Sequence, residues 1–376
     1  MAGAAAAPAT LRDRIGALQA RLSASDRFRR WAERFPLTRP IARRRAAALF
    51  DLCAGFVYAQ ALAAALRLGL FEMLRERPMP AIAVSLRLGL PLASTTRLLE
   101  ACVALRLLAQ RANGAYGLGA LGAAMIDNPG VAAMVGHHAL LYEDLRDPIA
   151  LLRAGRGEAL SGFWAYAGTE AGAQATGADP YSALMAASQP MVAAQVADAY
   201  AIGQHRRALD IGGGEGRFIV EVAPRAPATA FTLFDLPPVA DRARSRFAAA
   251  GLADRATAEG GDFRADPLPS GADLATLVRV LHDHDDAVVQ ALLRRIRAAL
   301  PAGGRILVAE PMAGTPGAER VGAYFAIYLL AMGQGRLRSA AEIAAMLREA
   351  GFAQPRLLRV RMPMIASVMI ADVMGD

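Results

Sequence analysis

The chain contains no lysine, so all 42 of its basic residues are arginines, set against 34 acidic residues for a formal charge of +8. A coding sequence rich in G and C produces such a bias without selection for function, so the charge alone does not indicate a nucleic-acid partner. Cysteine is nearly absent. Cys53 and Cys102 both lie in apolar, helix-like stretches, which excludes a disulfide framework and a cysteine zinc cluster. Long hydrophobic runs are missing too: the longest uncharged apolar stretch, residues 52–66, is shorter than the roughly 20 residues that span a bilayer. The Ala-rich start lacks the basic, apolar and cleavage regions of a signal peptide. A cytoplasmic location is expected. No repeat of fixed period is found.

What is present suits two folded domains. The chain has 376 residues, 55% of them hydrophobic and 20% charged, ample for buried cores. Residues 1–45 read as a basic N-terminal arm whose segment 26–45 is dense in arginine and carries Phe28, Trp31 and Phe35. Such an arm packs on a partner subunit or is drawn to anionic lipid at a membrane surface, with nucleic acid a third reading. Residues 46–74 form a helix too apolar for solvent, to be buried against other helices or another chain, which favours a homodimer. Helices over 81–88 and 94–108 follow, the second opened by the N-cap residues Ser94 and Thr95, and then a hairpin over 109–118 around Asn113 and Gly114.

Helices followed by a small hairpin make a winged-helix-like unit, an arrangement that also occurs in DNA-binding regulators. The recognition-helix position, 94–108, offers only Arg97 and Arg106 among leucines and alanines, too few groups to read bases and phosphates. No nucleic-acid partner is expected. Residues 167–178, rich in Gly, Ala and Thr, are the best linker, which gives a helical dimerisation domain over 46–175 and a catalytic domain over 176–376. In the latter, strand-like runs at 208–211, 230–234, 274–281, 305–309 and 367–371 alternate with helical patterns at 285–300 and 340–350. That rhythm predicts an α/β fold, a mostly parallel sheet covered on both faces.

The strongest chemical signal is Asp210 followed by Gly212, Gly213, Gly214 and Gly216, at the end of one strand and the start of a helix. Glycines there let the backbone approach a ligand at the carboxyl edge of the sheet. A dinucleotide fingerprint needs glycine at the sixth place, where Arg217 stands, so the NAD reading weakens. Asp235, with Leu236 after it, ends the next strand about 25 residues on, where a carboxylate accepts hydrogen bonds from ribose hydroxyls. Gly261, Asp262 and Phe263 close the strand after that.

The run from Arg279 through His282, Asp283, His284, Asp285 and Asp286 has three readings. His282, His284 and Asp286 alternate like metal ligands, but no further histidine or cysteine lies near in sequence, and no metal is expected. Asp285 and Asp286 are placed to cap the following helix. His282, at the carboxyl end of a central strand, is placed to act as a general base.

Taken in order, Asp210 to Gly216, Asp235, Asp262-Phe263, His282-Asp283 with Asp286, and Glu310-Pro311 resemble the plant-type S-adenosylmethionine-dependent O-methyltransferase family. The resemblance covers nearly the whole chain. It implies a class I methyltransferase Rossmann-like sheet behind an all-helical, winged-helix-like dimerisation domain, with S-adenosyl-L-methionine as cofactor and S-adenosyl-L-homocysteine as product. The implied cofactor contacts are Asp210, Gly212, Gly214, Asp235, Leu236, Asp262, Phe263 and Arg279. His282 becomes the base and Glu310 the carboxylate that orients it. Two departures stand out: His284 replaces the family tryptophan, and Leu337 stands where a second orienting glutamate is usual.

Four further segments are similar to the carotenoid O-methyltransferases of purple phototrophic bacteria: Pro36 to Pro40 with Arg43 to Arg45, Leu49 to Tyr58, Gly136 to His138 with Leu141 to Asp144, and Pro180 to Met185. These enzymes methylate the tertiary hydroxyl at carbon 1 of acyclic hydroxycarotenoids of the demethylspheroidene and hydroxyneurosporene type; relatives acting in bacteriochlorophyll synthesis or on small phenols are the alternative. The resemblance implies a long apolar acceptor channel, with Met185, Tyr324, Phe325, Tyr328, Leu329 and Met332 as walls. It also gives the arginine-aromatic arm a purpose, peripheral contact with the inner face of a photosynthetic membrane. His137 and His138 read as inter-helix contacts.

Overall fold

The fold is that of a computed structural model describing residues 10–163 and 178–374, less the side chains of residues 12 and 178–188. Most of the linker at 167–178 and the side chain of Met185 therefore lie outside the described residues. Contacts divide the chain into two compact units, Met1–Ile126 and Asp127–Asp376. The division falls well before residue 175, because helices Pro129–Asp144, Pro148–Ala154 and Glu158–Phe163 pack with the C-terminal elements rather than with the N-terminal helices.

The first unit holds helices Leu11–Ala24, Asp26–Arg34, Arg39–Arg67, Leu70–Met73, Ala81–Leu88 and Leu92–Ala104, then a hairpin of β1 (Leu108–Gln110) and β2 (Tyr116–Leu118). Its core gathers Leu70, Phe71, Leu74, Val84, Leu99, Cys102 and Tyr116. The long helix begins at Arg39, ahead of the expected residue 46, because Pro40 sits in its first turn, where a missing N–H costs nothing. At 29 residues it is long and apolar enough, by length and composition alone, to cross a bilayer, which corrects the expectation from its interrupted apolar run. Within the chain the expected burial is met only toward the helix's end, where Leu62, Ala65 and Leu66 join the core, while Leu49, Phe50, Leu52 and Phe56 are all at least 64% exposed. Ser94 and Thr95 do not cap helix Leu92–Ala104: Pro91 is the N-cap, and the buried Thr95 hydroxyl donates back to the Pro91 carbonyl at 3.1 Å.

The second unit is built on a seven-stranded sheet: β3 (Arg207–Ile211), β4 (Ala230–Asp235), β5 (Ala256–Gly260), β6 (Leu274–Val278), β7 (Arg305–Glu310), β8 (Phe352–Leu357) and β9 (Ser367–Val373). Their spatial order is β5-β4-β3-β6-β7-β9-β8, with the first five parallel and β9 antiparallel to both neighbours. Phe218, Ile219, Val222 and Phe247 pack on one face, Val289, Leu292, Ile296 and Leu347 on the other. The strand expected over 274–281 stops at Val278, because Arg279 adopts a left-handed φ of 60° and turns the chain into a 3-10 helix, Leu281–Asp283. β8 is not among the strand-like runs read from the sequence; an irregularity in its pairing between Ala353 and Arg356 accommodates Gln354 and Pro355.

Strand order reverses between β3 and β6, so the chain leaves β3 toward one edge of the sheet and β6 toward the other. The crevice at the carboxyl ends of these strands is where open α/β sheets bind ligands. The glycine turn, His282, Asp235 and Glu310 all sit along that edge.

Candidate active site

The turn after β3 is shaped by glycine. Gly212, Gly214 and Gly216 have φ values of 67°, 59° and 78°, a region other residues rarely adopt. Close approach restricts Gly213 instead, since a Cβ there would lie 2.3 Å from Asp210 Oδ2 and 2.8 Å from Leu233. Glu215 fastens the turn from outside, pairing with Arg242 at 3.0 Å and Arg246 at 2.5 Å.

Beneath the turn, Asp210 is buried and accepts the Thr276 hydroxyl at 2.7 Å through Oδ1, while Oδ2 has no hydrogen-bond partner. Burial pushes its pKa up to about 7. Asp235 lies alongside, receiving the Gly214 N–H at 2.8 Å and the Leu236 N–H at 2.7 Å; burial raises its pKa to about 6 against those bonds. Each oxygen of Asp235 keeps a lone pair for a further donor. An orphaned buried carboxylate oxygen under a glycine cradle, beside a second carboxylate, fits a cationic ligand that carries ribose hydroxyls. S-adenosylmethionine has that chemistry.

Asp262 and Phe263 follow β5. Burial works to raise the Asp262 pKa, but hydrogen bonds and the charge of Arg264 hold it below the ordinary value. Phe263 packs on the core below helix Asp286–Ala299 and meets the His284 ring edge-on, with centroids 5.2 Å apart. His284 is thus a ring partner for Phe263, held neutral by burial and by Arg264, with a pKa near 4. Among the described residues no group of three His, Cys, Asp or Glu side chains is arranged to hold a metal. Arg279 anchors the turn after β6 through its N–H to the Ala309 carbonyl at 2.8 Å.

His282 is 5% exposed, and its Nδ1 lies 2.5 Å from Glu310 Oε2. The other oxygen of Glu310 accepts the backbone N–H groups of Val280 and Leu281, each at 2.7 Å. One carboxylate at the end of β7 therefore holds both the ring and the turn that carries it. This bond fixes the tautomer with the proton on Nδ1 and leaves Nε2 as the basic nitrogen. Asp283 Oδ1 lies 3.1 Å from Nε2 without forming a hydrogen bond. Burial opposes charge on His282, but Asp283 and Glu310 outweigh it and raise its pKa above the ordinary histidine value.

Apart from Met185, the expected acceptor walls share helix Glu319–Met332. Phe325 meets the His282 ring edge-on at 5.6 Å, and Tyr324, Tyr328, Leu329, Met332 and Leu337 complete an apolar cluster with Leu141 and Leu160. His137 and His138 are inter-helix contacts: His137 Nε2 lies 2.7 Å from the Tyr328 hydroxyl and His138 Nε2 2.9 Å from that of Tyr324. Asp285 is the N-cap residue of helix Asp286–Ala299 but makes no capping bond; its Oδ1 accepts the Gly335 N–H instead.

Sequence reasoning misses Thr276 and, above all, Arg338, a buried guanidinium beneath the His282 turn. Among 42 arginines its type carries no signal. The only hint is its place beside Leu337, in the segment where the family's second carboxylate is expected.

Residues 50–128 match the O-methyltransferase dimerisation domain and residues 142–353 the O-methyltransferase domain. Demethylspheroidene O-methyltransferase of Cereibacter sphaeroides is 43% identical over 95% of both chains, and acetylserotonin O-methyltransferase of Mus musculus 32% identical over 84% of this chain and 86% of its own. Among solved structures, human N-acetylserotonin methyltransferase in complex with SAM has a TM-score of 0.74 at 25% identity, covering 88% of this chain and 98% of that one. Matched by both domain models and by a relative 43% identical over 95% of its length, the chain belongs to the S-adenosylmethionine-dependent O-methyltransferase family and carries both its dimerisation and its catalytic domain.

Proposed function

We propose that this enzyme moves the methyl group of S-adenosylmethionine to the tertiary hydroxyl at carbon 1 of an acyclic hydroxycarotenoid of the demethylspheroidene type. The observation that carries the reading is the His282–Glu310 pair set against an apolar, aromatic cluster. The cofactor supplies an electrophilic methyl on a sulfonium sulfur. Asp210, Gly212, Gly214, Asp235, Leu236, Asp262, Phe263 and Arg279 would hold and surround it. A tertiary alcohol is far less acidic than a phenol, so its proton must leave as the oxygen attacks, and His282 Nε2 takes it. Glu310 offsets the positive charge then developing on the ring. Tyr324, Phe325, Tyr328 and Met332 wall an apolar acceptor; Leu337 suits a hydrocarbon where a carboxylate would have to be desolvated.

The carotenoid acceptor is supported by the 43% identity with the Cereibacter sphaeroides enzyme, which extends over 95% of each chain. The dimerisation domain and the exposed Leu49, Phe50, Leu52 and Phe56 support a homodimer. Exposed Trp31, Phe35 and Leu37 among the arginines of residues 26–45 support peripheral contact of a cytoplasmic enzyme with an anionic membrane that holds the acceptor. Incubation with S-adenosylmethionine and detergent-dispersed hydroxycarotenoid should give a product heavier by one methyl group in mass spectrometry. Cofactor binding with no such product would refute the carotenoid acceptor and turn the search to porphyrin-like and phenolic hydroxyls.

A further inference from the structure

The turn that carries His282 is gripped from two sides by side chains of opposite charge. Glu310 takes its donors, the N–H groups of Val280 and Leu281. Arg338, 2% exposed, takes its acceptors: Nη1 donates to the Leu281 carbonyl at 2.6 Å and Nη2 to the His284 carbonyl at 2.7 Å. These carbonyls flank the base in sequence. Asp286 balances the guanidinium, accepting from Nε at 2.9 Å and from Nη2 at 2.6 Å. The strand of chain beneath is equally close, since a Cβ on Gly335 would lie 2.1 Å from the His282 carbonyl oxygen. A buried guanidinium is costly unless its donors are satisfied, and here they are satisfied by the catalytic turn itself.

We propose that Arg338 is a positioning residue for the base: its planar fork fixes the 3-10 turn so that His282 Nδ1 stays on Glu310 and Nε2 stays aligned with the acceptor oxygen. The fork geometry matters, because lysine presents a single point charge and cannot hold two carbonyls and a carboxylate at once. Leu337, the neighbouring residue, joins the apolar cluster with Phe325 and Tyr328. One short segment, residues 335–339, thus supports the base and walls the acceptor. The inference rests on His282 being the base.

The test is a set of purified full-length variants, Arg338→Met, Arg338→Lys, Glu310→Gln, Arg338→Met with Glu310→Gln, and His282→Ala, each assayed for methyl transfer across pH and for S-adenosylmethionine affinity. Arg338→Met should lower kcat by about 100-fold, the order expected for a misaligned base, with cofactor affinity unchanged. Its acidic limb should move to lower pH, toward that of Glu310→Gln, as the ring loses its carboxylate. Arg338→Lys should fold and fall between wild type and Arg338→Met, and the double variant should be little worse than either single one. Loss of cofactor affinity in step with kcat, an unmoved acidic limb in Arg338→Lys, or additive effects in the double variant would each overturn the proposal. An inactive His282→Ala beside fully active Arg338 variants would overturn it alone, whereas an active His282→Ala would overturn the base assignment itself.

Discussion

Glu310 stands 2.5 Å from Nδ1 of His282 and holds, with its other oxygen, the two peptide N–H groups that lead into that residue. Orientation of the ring and placement of its backbone are therefore one interaction. Removing the His282 ring should leave the glycine turn and Asp235 in place, because these belong to β3 and β4. His282→Ala is expected to lose methyl transfer by at least about 100-fold while binding S-adenosylmethionine normally. Calorimetric titration beside an activity assay distinguishes this from a binding defect.

The base works only when neutral, and its pKa is raised by Asp283 and Glu310 in spite of burial. Activity should rise with pH to a plateau, with a midpoint above the ordinary histidine value of about 6.5. Glu310→Gln removes one of the raising charges, so the midpoint should shift to lower pH while the plateau itself drops. A pH profile of kcat for both proteins reads the two effects separately.

Gly213 has no room for a methyl group, since Asp210 Oδ2 and Leu233 would lie 2.3 and 2.8 Å from it. Gly213→Ala must displace the buried carboxylate or the turn. Cofactor affinity is expected to fall at least about tenfold, an amount that 1.4 kcal/mol explains. An unchanged dissociation constant would mean that the cradle yields freely.

The His137–Tyr328 bond crosses between two helices at 2.7 Å, and burial lowers the His137 pKa to about 4, so a neutral ring meets the hydroxyl. Tyr328→Phe leaves a buried nitrogen unpaired at almost unchanged volume. A stability loss of about 1–3 kcal/mol is expected, measured by urea unfolding at neutral pH.

Leu52 and Phe56 project from helix Arg39–Arg67 with 81% and 66% exposure. Leu52→Glu with Phe56→Glu should convert a dimer to monomer in sedimentation velocity. A wild-type monomer at micromolar concentration would contradict the assignment of this face.

Sequence alone determined the α/β class, the order of the strands that carry chemistry and the glycine turn after Asp210, and it singled out His282 and Glu310 as candidates for a base and its carboxylate. These are local signals: a strand must end in a tight turn, a turn needs glycine, and a base and its carboxylate are chemically distinct from the aliphatic residues around them. Position in space was not local, and the tertiary structure decided it. Helices Pro129–Asp144 to Glu158–Phe163 joined the catalytic unit because their apolar residues find partners on helix Glu319–Met332, which no linker composition could reveal. Ser94 and Thr95 look like caps, yet Pro91 starts the helix two residues earlier and turns Thr95 inward. Arg338, indistinguishable from the other arginines in the sequence, reaches the turn that carries His282 only because the chain returns after helix Glu319–Met332 and passes beneath Leu281 and His284. Hydrogen bonds between residues more than fifty positions apart leave no periodicity to read, and only the folded chain brings their donors and acceptors together.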